Sequence, residues 1–182
     1  LSFQPDRGQS IDCLAELDVP MNTTSEQDRD TASPRIRPPL LFLGCLILGL
    51  VLDRVLLPPF ALPETAWVRW VAGGGLIFLG IVVFAAGLWN FSRAGTPVPG
   101  NRPVRALVTT GIHGLSRNPI YVGMFLLYTG IGLAARSSWI LILVLPIAVI
   151  MRYAVVAREE AYLERRFGGA YRDYKVRVRR WL

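Results

Sequence analysis

Cysteine, histidine and lysine are almost missing from this chain of 182 residues. Cys13 and Cys45 are its only cysteines, His113 its only histidine and Lys175 its only lysine. Two cysteines, one in a polar stretch and one inside an apolar run, build neither a disulfide framework nor a zinc spacing. No metal is therefore expected. General base catalysis near neutral pH has a single histidine candidate, His113, set against the plainer reading of an incidental loop residue. Also missing is a basic soluble module with a nucleic-acid-binding motif, which excludes a nucleic-acid partner. Charge itself is missing from long stretches: none occurs in residues 38–52, 71–91 or 119–135.

Apolar residues fill those stretches. They make up 52% of the chain, and the mean hydropathy is +0.39, above the level of a soluble domain. They lie in blocks rather than in short periodic stripes, which a bilayer explains and a water-facing surface does not. The expected fold is all-α: a polytopic membrane protein with about four transmembrane helices over residues 38–57, 70–91, 119–135 and 138–157. A crossing helix needs roughly 20 apolar residues. The first block is the weakest, because Asp53 and Arg54 interrupt it before Pro58 and Pro59 stop it. Trp67, Trp70 and Trp89 flank the second as interfacial aromatics do. The link between the third and fourth is very short, so they should pair antiparallel.

The net charge of +7 hides an asymmetry. Residues 1–33 hold seven acids and two arginines, a net of −5, whereas residues 34–182 hold eighteen basic and six acidic residues, a net of +12. Residues 1–37 are polar and aperiodic, as a disordered tail is, and have no apolar core behind a basic leader, as a signal peptide would. Met21 is a candidate start, with residues 1–20 an upstream extension; residues 38–182 form the membrane domain. With four spans, Arg35, Arg37, Arg93, Arg102, Arg105, Arg117 and the tail 158–182 share one side. Only Arg69 and Arg136 edge the other. The positive-inside rule makes the crowded side cytoplasmic, with both termini there, and makes anionic membrane lipid the first expected partner. The tail reads as a helix over 158–167 with Leu163 and Phe167 on one face, a break at Gly168 and Gly169, and a basic, aromatic segment 170–182 suited to the membrane interface.

Three polar clusters fall on that side: the loop 95–100, the stretch 110–123, and the segment 158–168 followed by Tyr171 and Tyr174. Glu159 and Glu160 stand where a helix leaves the bilayer, and desolvated charge there is costly without a partner. On a continuous helix Arg152, Glu159 and Arg166 are seven apart, hence near one face. That stripe suits a ligand bearing both an amine and a carboxylate, or it is a snorkelling, salt-bridged face. Asn118 and Pro119 read as the cap and first turn of the third span. The functional reading adds Arg117 and Tyr121 as groups facing a cofactor, next to the unpaired N–H groups of a helix start. Gly73, Gly74 and Gly75 follow no strand and lie in a membrane helix, where small residues permit close packing, so a nucleotide-binding role is rejected.

The ordered series Ala94-Gly95-Thr96-Pro97-Val98, Arg117-Asn118-Pro119-Ile120-Tyr121-Val122-Gly123, Glu159-Glu160-Ala161-Tyr162-Leu163, Phe167-Gly168, Tyr171 and Tyr174 resembles the isoprenylcysteine carboxyl methyltransferase and phospholipid methyltransferase superfamily of membrane enzymes. The likeness covers about residues 85–182. It implies an S-adenosylmethionine-dependent methyltransferase with its cofactor in a cytoplasmic pocket made by the last helices and the tail. It implies cofactor contacts from Arg117, Asn118, Pro119, Tyr121, Glu159 and Glu160. Catalytic roles fall to Glu160 and to Arg166, with Arg165 as the fallback. A lipidic or small-molecule methyl acceptor would reach the site between helices.

Methyl transfer from a sulfonium demands alignment more than a strong base. A carboxylate acceptor needs no base and can be held by an arginine; a phospholipid amine must first lose a proton. One departure stands out: Ile112, His113 and Gly114 replace the family's usual Pro, aromatic and Arg; Asn118 in place of a histidine is a common family variant and removes a possible acid/base group. The first expectation is an enzyme of the isoprenylcysteine carboxyl O-methyltransferase type, acting on a lipidic or small carboxylate at the cytoplasmic face. The alternatives are a phospholipid N-methyltransferase and a non-catalytic membrane subunit that retains the fold. The presence of both glutamates and Arg117 argues against the last.

Overall fold

The computed structural model describes residues 36–62, 65–99 and 103–182. The expected tail 1–37, apart from its last two residues, the candidate start Met21, and Arg35, Gly100 and Arg102 lie outside the described residues. Within them every regular element is helical. Helix α1 is Pro38–Val55, α2 is Gly74–Arg93, α3 is Pro119–Ala135, α4 is Ser138–Ile150, α5 is Ala157–Phe167 and α6 is Gly169–Arg177. A wider π-helical turn, Val68–Gly73, leads into α2, and another, Met151–Val156, joins α4 to α5.

Local chemistry explains the boundaries. Prolines open α1 and α3 in the first turn, where the missing N–H is not needed. The α3–α4 hairpin is as tight as its sequence predicts. Arg136 adopts a left-handed conformation (φ 56°), Ser137 N–H donates to Gly132 O at 2.9 Å, and Ser137 Oγ caps α4 by accepting from Ile140 N–H at 3.0 Å. Gly168 (φ 53°) ends α5, as its residue type suggests.

Among the described residues three helices are long and apolar enough to cross a membrane: Pro38–Val55, Arg69–Arg93 and Ser138–Phe167. Pro119–Ala135 is apolar but shorter. The 30 residues of Ser138–Phe167 reach about 45 Å at 1.5 Å per residue, against a hydrocarbon core of about 30 Å. Its polar end, α5, therefore projects beyond the core.

The helices form a row, α2 against α3, α3 against α4, and α4 against α1. Their outward faces carry apolar side chains such as Leu43, Phe78, Trp89 and Leu145, as a lipid-facing surface does. Lipid tails are as apolar as leucine, so such helices associate by close packing of small residues. Gly73, Gly80 and Gly87 recur every seven residues along the α2 run. A Cβ on Gly80 would lie 2.8 Å from Gly123 O, one on Gly123 2.6 Å from Phe84 N, and one on Gly130 2.8 Å from Gly73 O. Backbone thus meets backbone along the α2–α3 seam. Of the glycine triplet only Gly73 takes part, since Gly74 and Gly75 face open space.

Candidate functional site

The site lies at the end of the row where α3 begins and α5 leaves it. The loop between α2 and α3 is drawn there by side chains rather than by regular structure. Gly95 turns the chain with φ 61°. The buried Thr96 hydroxyl then accepts from Arg105 N–H at 2.8 Å, tying the two limbs of the loop together. Val104 N–H donates to Tyr162 Oη on α5 at 3.1 Å. Tyr174 Oη on α6 donates to His113 O at 2.6 Å. Together these contacts border a small open cleft of about 50 Å³, lined by Arg117, Asn118, Glu159, Glu160, Tyr171 and Tyr174 among others.

Within the cleft the two neighbouring acids have separate partners. Glu159 accepts from Tyr121 Oη at 2.6 Å. Glu160 meets Arg117 Nη2 at 3.3 Å and takes a bidentate fork from Arg180, with Nε at 3.0 Å and Nη2 at 2.6 Å. Both carboxylates are buried, where charge persists only if it is paired and hydrogen-bonded. The bond to Glu160 pushes the Arg180 guanidinium further above its ordinary value. Arg117 Nε and Nη1 are buried and have no hydrogen-bond partner among the described residues. Such donors are rare in folded proteins and call for an explanation.

Of the residues expected from sequence, Arg117, Asn118, Glu159 and Glu160 line the cleft, Tyr121 supports it through Glu159, and Pro119 starts α3 beneath it. Arg166 and Arg165 are exposed on α5. Of the stripe Arg152, Glu159 and Arg166, the last two stay seven apart on the uninterrupted helix α5, but Arg152 lies outside it. The π-helical stretch before α5 widens the turn and offsets the register, and Arg152 is exposed with its guanidinium 5.6 Å from the Tyr153 ring. Asn118 makes no side-chain cap on α3; its amide instead donates to Arg180 O at 2.9 Å.

His113 is buried and packs edge-on against Phe91 (4.8 Å between centroids), with Nδ1 3.3 Å from Asn90 Nδ2. Burial pulls its pKa down to about 4. These contacts make it a packed loop residue.

Sequence reasoning missed Arg180. Its pattern is that of an interfacial segment, yet Tyr171, Tyr174 and Val178 are buried, and the chain beyond α6 returns to the start of α3. Only the adjacency of two arginines and a tryptophan hinted that this segment was more than a solubilising tail.

The phospholipid methyltransferase family matches residues 68–170, more than half of the chain. The chain belongs to this family. The family is one of membrane methyltransferases, and the match contains Arg117, Tyr121, both glutamates and Arg166 but stops short of Arg180. An uncharacterized protein of Haemophilus influenzae is 42% identical over 59 residues, covering 32% of this chain and 90% of that protein. No solved structure matches the chain. As a phospholipid methyltransferase family member the chain is a membrane protein, and its buried acid pair lies within the family's matched region.

Proposed function

We propose that this protein is an S-adenosylmethionine-dependent methyltransferase whose cofactor occupies the cleft between α3, α5 and α6. The observation that carries the reading is the opposition of charges there: Arg117, with two buried donors that have no partner, faces the buried carboxylates of α5. An amino-acid moiety bears one carboxylate and one ammonium. Arg117 Nε and Nη1 would take the carboxylate, and the Glu160 side of the cleft the ammonium. Asn118 lines the wall beside them, and Glu159 is oriented from below by Tyr121. Tyr171 and Tyr174 offer aromatic walls for an adenine. Bound there, S-adenosylmethionine supplies an electrophilic methyl group on a sulfonium.

The preferred acceptor is a lipidic or small carboxylate, as in the isoprenylcysteine carboxyl methyltransferases. Both cleft acids are already engaged, by Tyr121 and by two arginines, and His113 is turned into the protein. A carboxylate acceptor needs no base from them. Arg166, exposed on α5, would hold that carboxylate, with Arg165 as the fallback. Glu160 would act by fixing the cofactor. A second reading, a phospholipid amine, is favoured by the family match and would require Glu159 to leave Tyr121 and accept the amine proton. In either case four helices cross the membrane, the arginine-rich end faces the cytoplasm, and the acceptor arrives laterally from the bilayer.

Equilibrium binding of S-adenosylmethionine and S-adenosylhomocysteine to protein in lipid nanodiscs tests the reading. Saturable binding is expected; its absence would sink it and leave a non-catalytic subunit. Given binding, labelled methyl transfer to a prenylcysteine analogue should yield a base-labile ester, and a base-stable methyl on phospholipid would favour the amine instead. Arg166→Ala should lower turnover and leave cofactor affinity unchanged.

A further inference from the structure

The chain beyond α6 contributes to the cleft from outside the family's matched region. It leaves helical geometry at Val178 (φ −121°, ψ 131°) and runs back across the start of α3. Arg179 O accepts from Arg117 N–H at 3.0 Å. Arg180 O accepts from the Asn118 amide at 2.9 Å and from Ser116 Oγ at 3.5 Å. Trp181 then packs against Phe125 (6.0 Å), which in turn packs against Phe42 of α1 (5.1 Å). Backbone bonds and an aromatic anchor therefore hold Arg180 in place on both sides.

We infer that Arg180 is a positioning residue for the cleft, held there by the strap of residues 178–181, and that it keeps Arg117 available to a ligand by saturating Glu160. The inference rests on reading the cleft as a cofactor site. Guanidinium and carboxylate prefer to pair as two parallel bonds. Arg180 forms that fork with Glu160, whereas Arg117 reaches Glu160 through one longer contact of Nη2, lies beside the Tyr171 hydroxyl, and keeps Nε and Nη1 without a hydrogen bond. Without Arg180, Arg117 turns its own fork onto Glu160 and loses those donors.

Charge alone would give the opposite result. S-adenosylmethionine is a net cation, so removing a nearby arginine should strengthen its binding by simple Coulomb attraction. Positioning demands the reverse. In nanodiscs, Arg180→Ala should weaken S-adenosylmethionine binding about tenfold, the scale of a lost charge-assisted hydrogen bond. Arg180→Met, which keeps the bulk, should fall equally far. Arg180→Lys, which keeps the charge without the fork, should recover part of the loss. Arg172→Ala, removing an exposed charge on α6, should bind as the unmodified protein does. Unchanged or tighter binding in Arg180→Ala overturns the inference, as does a Met variant that behaves like the unmodified protein.

A readout independent of the cofactor is amide exchange at Arg117, whose N–H is bonded to the strap. It should speed up in Arg180→Ala. If the unmodified protein binds no cofactor, the functional reading fails, and exchange alone decides the strap: unchanged protection at Arg117 in Arg180→Ala overturns it.

Discussion

Helix α3 takes part in two regions built on opposite principles. Along its length it meets α2 through glycines, with backbone against backbone and no polar side chain required. At its start it meets α5 and the strap through two acids, two arginines and a tyrosine, most of them buried. The glycine seam has one good arrangement, because a single added carbon collides with main chain. The polar cluster is held by partners that can be exchanged, and it leaves two arginine donors unspent. The seam supplies rigidity and the cluster supplies binding capacity, on one helix and within a few turns of each other.

Substitutions can break that division, and the largest effect belongs to the cluster. Arg117→Ala should lower cofactor affinity about 100-fold, because truncating one partner of a buried, hydrogen-bonded charge pair is costly. Glu160→Gln should act in the same direction. Neither should prevent membrane insertion, so unchanged affinity in both, measured by titration calorimetry in nanodiscs, would refute the pocket. Next comes the seam. Gly123→Ala places a carbon 2.6 Å from Phe84 N and should destabilise the fold by about 2 kcal/mol, the scale of overpacking. Thermal unfolding in detergent reads this out, and a variant as stable as the parent would show that the helices can slide apart cheaply.

Tyr121→Phe deletes the 2.6 Å bond to Glu159 and should weaken cofactor binding about tenfold while sparing the seam's stability.

Stability should also respond to pH. His113 has a folded pKa of about 4 against an ordinary value of 6.5, so the unfolded chain binds its proton more readily. Its contribution to stability is complete above about pH 6.5 and is lost progressively as the pH falls towards 4. The melting temperature should therefore drop between pH 7 and pH 4.5, and drop less in His113→Gln. The smallest change is expected of Trp89→Ala on the outer face of α2, within about 0.5 kcal/mol as for surface substitutions.

Much of the first region was legible in the sequence. Uncharged blocks announce apolar helices, Pro119 marks a start, the short link around Ser137 marks a hairpin, and Gly168 marks a stop, because each reports a local constraint on the backbone. The register of the glycine seam was less visible: the triplet at 73–75 is the conspicuous pattern, although of the three only Gly73 makes the contact, with Gly80 further along the helix. In the second region the residues were legible and their pairings were not. The stripe Arg152, Glu159 and Arg166 assumed uniform helical periodicity, which the π-helical turn at Met151–Val156 interrupts. Asn118 carried a strong capping signal, but its amide serves the strap.

By itself the sequence determined the helical class, the apolar segments and their ends, and the placement of two acids and an arginine at the polar end. These follow from residue-level preferences that act over one or two turns. Only the tertiary structure decided which cation serves which acid. Glu160 and Arg180 are twenty residues apart, and Tyr121 and Glu159 thirty-eight. Their meeting depends on a shifted helical register and a returning strap, which no local periodicity encodes. Buried charge makes those pairings mandatory, because an acid removed from water must find a donor wherever the fold brings one.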